Sequence, residues 1–206
     1  MASEREIKLR AGDFEAMKLS LEHMGARPVG TGDGRVHEWN MIFDTAGQEL
    51  AKKGQLLRIR QETANSGNGK TRFILTLKKP SENAELDGYG HKVREEIETE
   101  VEDGDALRRV IEGLGMNAWF SYEKYRTTMK MPSSEAWATD LLIELDETPI
   151  GTFLELEGPA EAIDRAAREL RYSKKDYITN SYLGLYLDEC RRRGESPRNM
   201  VFDKTK

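Results

Sequence analysis

Cysteine is nearly missing from this sequence: Cys190 stands alone, which excludes an internal disulfide. Only His23, His37 and His91 accompany it, a sparse and scattered set that argues against a zinc cage of thiolates and imidazoles. Any bound metal therefore has to be a hard cation held by oxygen. Long apolar runs are missing as well, with none approaching the roughly 18 residues of a membrane span. No apolar segment follows a basic N-terminus, so the chain reads as soluble and cytoplasmic, with no membrane partner. A basic excess is also lacking. Lys and Arg number 32 against 37 Asp and Glu, giving a net charge of −5 and a pI near 5.5. That balance argues against nucleic acid as a partner.

What remains is a polar chain whose apolar residues fall in periodic runs. Only 37% of the 206 residues are hydrophobic and 33% are charged, but the periodicity argues against disorder. The length fits one domain, read as residues 1–193, with 194–206 as a tail packed loosely or on an edge. No internal repeat, low-complexity segment or linker divides it.

The organising stretch is Glu4-Arg5-Glu6-Ile7-Lys8-Leu9. Side chains alternate along a strand, so Glu4, Glu6 and Lys8 share one face and Ile7 and Leu9 the other. The same split recurs in Leu56 to Arg60, with Arg58 and Arg60 in phase, and in Thr71 to Lys79, with Lys78 opposite Phe73, Leu75 and Leu77. It returns with Arg94, Glu96 and Glu98, with Lys124 and Arg126 in a strand from Phe120 to Met131, and with Glu144 and Asp146 in Leu141 to Asp146. Glu155 and Glu157 close the series, and Trp39 to Thr45 adds a less charged strand. Residues 26–36 and 46–54 read as loops, 65–69 as a hairpin turn and 81–91 as a loop. Helices are predicted after Asp13, after Asp103 or Asp105, over 160–170 behind Gly158-Pro159, and over 181–193.

A wet sheet face usually mixes Thr, Ser and Gln with occasional charges. Here both signs are dense and segregated, carboxylate pairs on the first and last strands and cation pairs between. The expected fold is therefore α+β: an eight-stranded, mainly antiparallel closed β-barrel with flanking helices. Its charged faces point inward and its apolar faces outward under the helices. Buried unpaired charges cost several kcal/mol each, so such a lining requires a highly charged ligand. A polyphosphate with Mg²⁺ or Mn²⁺ meets both demands: Arg and Lys grip phosphate oxygens, and paired carboxylates hold a hard divalent cation.

Glu4-Arg5-Glu6-Ile7-Lys8 resembles the N-terminal E-x-E-x-K signature of the CYTH superfamily, the triphosphate tunnel metalloenzymes. Phe43-Asp44-Thr45, Leu57-Arg58-Ile59-Arg60, Thr76-Leu77-Lys78-Lys79-Pro80, Arg94-Glu95-Glu96-Ile97-Glu98, Lys124-Tyr125-Arg126 and Gly151 to Glu157 follow in matching order. The resemblance covers about residues 2–190. It implies that Glu4 and Glu6, with Glu155, Glu157 and Asp146 or Glu144, hold one or two divalent metals. Lys8, Arg58, Arg60, Lys78, Arg94, Lys124 and Arg126 would grip the triphosphate, with Glu4, Glu6 and Lys8 at the catalytic centre and Glu96 and Glu98 in support. Lys174 or Lys175 would supply a late basic group.

A divalent-metal-dependent triphosphatase acting on a small-molecule triphosphate is the first expectation, class IV adenylyl cyclase the second. A non-catalytic polyphosphate binder is the third, disfavoured by the many carboxylates. Trp39, Phe43 and Phe153 read as core aromatics before base-stacking ones, and His37 as a surface histidine. Apolar outer faces left uncovered by so few helices would suit a homodimer.

Overall fold

The structure, a computed structural model, describes residues 2–30, 32–65, 69–81 and 90–203. The strands are β1 (Ala2–Arg10), β2 (Arg27–Pro28), β3 (Arg35–Thr45), β4 (Leu56–Ala64), β5 (Thr71–Pro80), β6 (Lys92–Val101), β7 (Met116–Lys130), β8 (Leu142–Thr148) and β9 (Gly151–Glu157). The helices are α1 (Phe14–His23), α2 (Glu49–Lys52), α3 (Gly104–Gly113), α4 (Ala160–Glu169) and α5 (Tyr182–Arg193).

Eight antiparallel strands close on themselves in the order β7-β3-β4-β5-β6-β1-β9-β8, with β8 pairing back onto β7. The expected eight-stranded barrel with flanking helices is the fold observed. The two-residue β2 adds a short pairing to β7 inside the segment read as a loop. Similarly, α2 interrupts the expected loop at 46–54; both are too short for periodicity to reveal. Residues 66–68 of the expected hairpin turn and 82–89 of the expected loop lie outside the described residues.

Period 2 holds through β1 and β9, so Ile7, Leu9, Leu154 and Leu156 all point outward. They pack with Ile143 and Leu145 of β8 against Met17 and Leu21 of α1 and Ile163, Ala166 and Ala167 of α4. Each fully buried Leu or Ile here contributes about 1.5–3 kcal/mol. Asp13 caps α1, accepting from the Ala16 N–H at 2.8 Å, and Asp103 rather than Asp105 caps α3 in the same way at 2.8 Å. The other half of the barrel carries α3, whose Ile111 packs on Phe43 and Ile59.

Ser181 caps α5, whose Tyr182 and Leu185 join Ile42, Phe120, Tyr122 and Phe153 at one end of the barrel. Beyond α5, Met200 is buried and bridges in parallel to Tyr122 of β7. Among the described residues, no helix is long and apolar enough to cross a membrane.

Candidate active site in the barrel lumen

Cross-strand register arranges the inward charges in rows. Lys8 on β1 faces Glu155 on β9, which faces Glu144 on β8. Glu6 lies between Lys92 of β6 and Glu157 of β9. On the opposite side Glu38 of β3 faces Lys124 of β7, and Arg126 faces Asp146 of β8. Lys78 faces Glu96, and Thr76 stands between Arg58 and Glu98. All of these except Glu38, Thr76 and Asp146 line a half-open cavity of about 280 Å³ whose lining includes seven glutamates and seven Lys or Arg side chains. A second cavity of about 650 Å³ adjoins it, sharing Arg60, Glu98, Arg126, Leu142 and Glu144.

The β3–β4–β7 wall is held by two buried acids. Asp146 accepts from Lys124 Nζ at 2.8 Å, Arg126 Nε at 2.7 Å, Arg126 Nη2 at 2.6 Å and the Tyr182 hydroxyl at 2.6 Å. Glu38 has Arg60 Nε at 3.3 Å, Lys124 Nζ at 3.5 Å and Arg126 Nε at 3.6 Å, yet among the described residues its oxygens accept no hydrogen bond. Burial pushes the Glu38 carboxyl up, but Arg60, Lys124 and Arg126 together hold it well below the usual range. Arg126 also pairs with Glu144 and, at 3.0 Å, with Glu155. Arg58 donates to Thr76 Oγ1 at 3.1 Å and Glu98 Oε1 at 3.4 Å.

The other wall holds more carboxylate than its cations neutralise. Lys78 Nζ lies 2.8 Å from both Glu4 Oε2 and Glu96 Oε2. Burial, then a hydrogen bond to Glu4, pushes Glu96 up to about 8. Glu157 is pushed up to about 8 by burial and by the charges of Glu4 and Glu144. Glu144 rises to about 7, because burial and Glu155 outweigh Arg126. Glu6 goes the other way: burial raises it, but Lys8 and Lys92 more than offset that.

Facing carboxylates that hold protons at neutral pH fit a divalent cation, since an oxygen-ligated cation would discharge them. Among the described residues no three acidic side chains converge into a ready-made cage. Lys8, Lys78, Lys92 and Arg126 occupy their oxygens instead.

Of the residues read from the sequence, Glu4, Glu6, Lys8, Arg58, Arg60, Lys78, Glu96, Glu98, Lys124, Arg126, Glu144, Glu155 and Glu157 line the cavity. Two do not. Arg94 has the inward register but donates to the Gly54 carbonyl at 3.3 Å. Asp146 is fully buried behind the lining, saturated by Lys124, Arg126 and Tyr182, and acts as their counter-ion. Lys174 pairs with Asp164 at 3.3 Å, and Lys174, Lys175, Trp39, Phe43 and Phe153 are absent from the lining. His37 bonds Glu123 at 2.8 Å, also away from the cavity.

Sequence reading missed Glu38, Lys92, Tyr122 and Tyr182. Lys92 was open to detection, since it shares the phase of Arg94, Glu96 and Glu98. Asp44, singled out only as part of a motif, accepts the backbone N–H groups of Thr45, Leu50 and Ala51 at 2.7, 3.0 and 2.9 Å and so folds the β3–β4 connection.

Known proteins share this architecture. A Vibrio parahaemolyticus protein described as a "putative adenylate cyclase" superposes with a TM-score of 0.68 at 17% identity, covering 87% of this chain and 95% of that one. A Hippeastrum protein described as a "putative adenylyl cyclase" with a dominant triphosphatase activity superposes with a TM-score of 0.55 at 22% identity, covering 94% and 97%. At these identities the likeness concerns the fold alone. In sequence, a Methanocaldococcus jannaschii protein named "Putative adenylate cyclase" is 27% identical over 187 residues, 88% of this chain and 97% of that one. Residues 2–182, from the first barrel strand to the start of α5, match the CYTH domain, and the chain belongs to that family.

Proposed function

We propose that this protein is a divalent-metal-dependent triphosphatase of the cytoplasm, cleaving the terminal phosphate from a small-molecule triphosphate bound in the lumen. One observation carries the reading: the lumen cavity whose lining holds seven cationic and seven carboxylate side chains. A triphosphate answers the cations, and Mg²⁺ or Mn²⁺ answers the carboxylates. CYTH proteins generally use divalent metals. In this reading Glu4, Glu6, Glu144, Glu155 and Glu157 hold the metal, which when bound supplies Lewis-acid neutralisation of phosphate charge.

The protein's own groups do the rest. Arg58, Arg60, Lys124 and Arg126 fix the phosphate chain, and Asp146 and Glu38 hold those cations in place before substrate arrives. Lys8 and Lys78 add charge from the facing wall, while Glu96 and Glu98 orient Lys78 and Arg58 through their ion pairs. Water attacks the terminal phosphorus in line, its proton passes to a lumen carboxylate, and the diphosphate leaves with its oxygens held by the arginines.

A second reading, adenylyl cyclisation, is favoured by the name of the Methanocaldococcus relative. It uses the same clamp with the ribose 3′-hydroxyl as nucleophile and pyrophosphate as leaving group. The test is a panel with Mn²⁺ or Mg²⁺: phosphate released from tripolyphosphate, thiamine triphosphate and ATP, and cyclic AMP formed from ATP. Phosphate release is expected. Cyclic AMP without phosphate release would replace the hydrolase by the cyclase, and tight binding without turnover would replace both by a sensor. Replacing Glu4 and Glu6 together by Gln is expected to abolish metal-dependent turnover while the fold survives.

A further inference from the structure

We propose that Lys92 is an additional phosphate-binding residue of the lumen, kept on Glu6 until a divalent cation takes that carboxylate. The inference rests on the triphosphate reading above. Lys92 opens β6 directly across from Glu6, and Glu157 faces Glu6 from the other side. Its ammonium thus stands where the phosphate-gripping and metal-holding groups meet.

Glu6 Oε1 carries two ammonium donors, Lys8 Nζ at 2.9 Å and Lys92 Nζ. The two lysines depend on it unequally. Lys8 also has Glu155 at 3.5 Å, whereas among the described residues Lys92 forms its ion pair with Glu6 alone. Two like charges sharing one oxygen repel each other, and for Lys92 it is the negative charge of that oxygen, its ion-pair partner, that offsets the cost. A divalent cation on Glu6 withdraws the offset. Lys92, already lining the cavity, then requires another anion, and the phosphate that enters beside the cation is the one within reach. Metal and phosphate binding become mutually reinforcing through this lysine, because such coupling is reciprocal. Lys174 and Lys175 cannot take the role, since neither lines the cavity.

The experiment is calorimetric titration of wild-type protein and Lys92→Met with Mn²⁺ alone, and with tripolyphosphate at saturating Mn²⁺. Lys92→Met is expected to bind tripolyphosphate about tenfold more weakly, the loss of one charge-assisted hydrogen bond. It should bind Mn²⁺ alone at least as tightly as wild type, because a competing ammonium has left Glu6. Lys92→Arg should recover most of the tripolyphosphate affinity. Lys92→Gln repeats the measurement with a polar uncharged chain in case Met disturbs the fold. Tripolyphosphate affinity within twofold of wild type in both neutral variants overturns the inference, as does a joint loss of metal and phosphate affinity, which would mark a merely structural lysine. Wild-type protein that binds no tripolyphosphate overturns the triphosphate reading itself, and this inference with it.

Discussion

The two sides of the lumen solve the same electrostatic problem differently. On the β3–β4–β7 side, the cations Arg60, Lys124 and Arg126 close on fully buried Glu38 and Asp146, each acid paired with more than one of them. On the side built by β1, β6, β8 and β9, burial with Glu4 beside Glu96, Glu155 beside Glu144, and Glu4 and Glu144 near Glu157 pushes these three carboxyls up toward neutral pH. The first wall is finished without ligand, whereas the second lacks positive charge. On the proposed reading, such a site would grip an anion with a preformed comb and take up a cation by displacing protons and lysines.

Removing Asp146 should produce the largest effect. Asp146→Ala leaves Lys124 and Arg126 buried with one acid fewer, which costs about 3–5 kcal/mol of folding stability. Glu157→Gln, on the opposite wall, removes a repelled charge and is expected to gain about 1 kcal/mol at pH 8, or roughly 2–4 °C in Tm. Chemical denaturation of both variants measures the contrast. A loss below 1 kcal/mol for Asp146→Ala would show that the comb does not depend on its buried counter-ion.

The pH profile sharpens the same contrast. Glu144, Glu96 and Glu157 have folded-state values near 7, 8 and 8 against an ordinary 4.5. Between these limits the folded chain binds protons that the unfolded chain has released. Their contribution is complete below about pH 4.5 and is lost as pH rises through 7 to 8. Metal-free protein should therefore melt at lower temperature at pH 8 than at pH 5.5. Added Mn²⁺ should stabilise it by an amount that grows over the same interval, because the cation competes with those protons. A metal-free Tm that climbs with pH would contradict the assignment of a proton-loaded wall.

How far the lumen could be read from sequence follows from the same geometry. Glu4, Glu6 and Lys8, Arg58 and Arg60, and Glu155 and Glu157 were legible because period 2 runs unbroken through β1, β4 and β9, and aliphatic residues mark the opposite phase. Glu38 was not, since the inward phase of β3 continues into Asn40 and Ile42, which resembles no charged run. Its importance comes from facing Lys124 across the sheet, a pairing of residues far apart in the chain. Arg94 shows the converse limit: phase gives the direction of a Cβ, but a long side chain can still turn to the Gly54 carbonyl. Asp146 has the inward phase, but its oxygens are taken up by Lys124, Arg126 and Tyr182. Whether a carboxylate serves a metal or a neighbouring guanidinium depends on cross-strand register, which periodicity along one strand does not contain.

Tyr182 gives the finest probe, because it ties α5 to the finished wall. Its hydroxyl donates to Asp146 at 2.6 Å, and burial together with that carboxylate keeps the phenol protonated. Its ring centroid lies 5.3 Å from Lys8 Nζ and 5.1 Å from Lys124 Nζ. Tyr182→Phe keeps the ring against both lysines and removes one hydrogen bond to a charged acceptor, an expected loss of about 1.5–3 kcal/mol. The same substitution in an Asp146→Asn background should cost markedly less, since the acceptor it served has lost its charge. If the two losses simply add, α5 is held by apolar packing on Phe153 and Phe120 alone, and the buried acid organises the strands without reaching the helix.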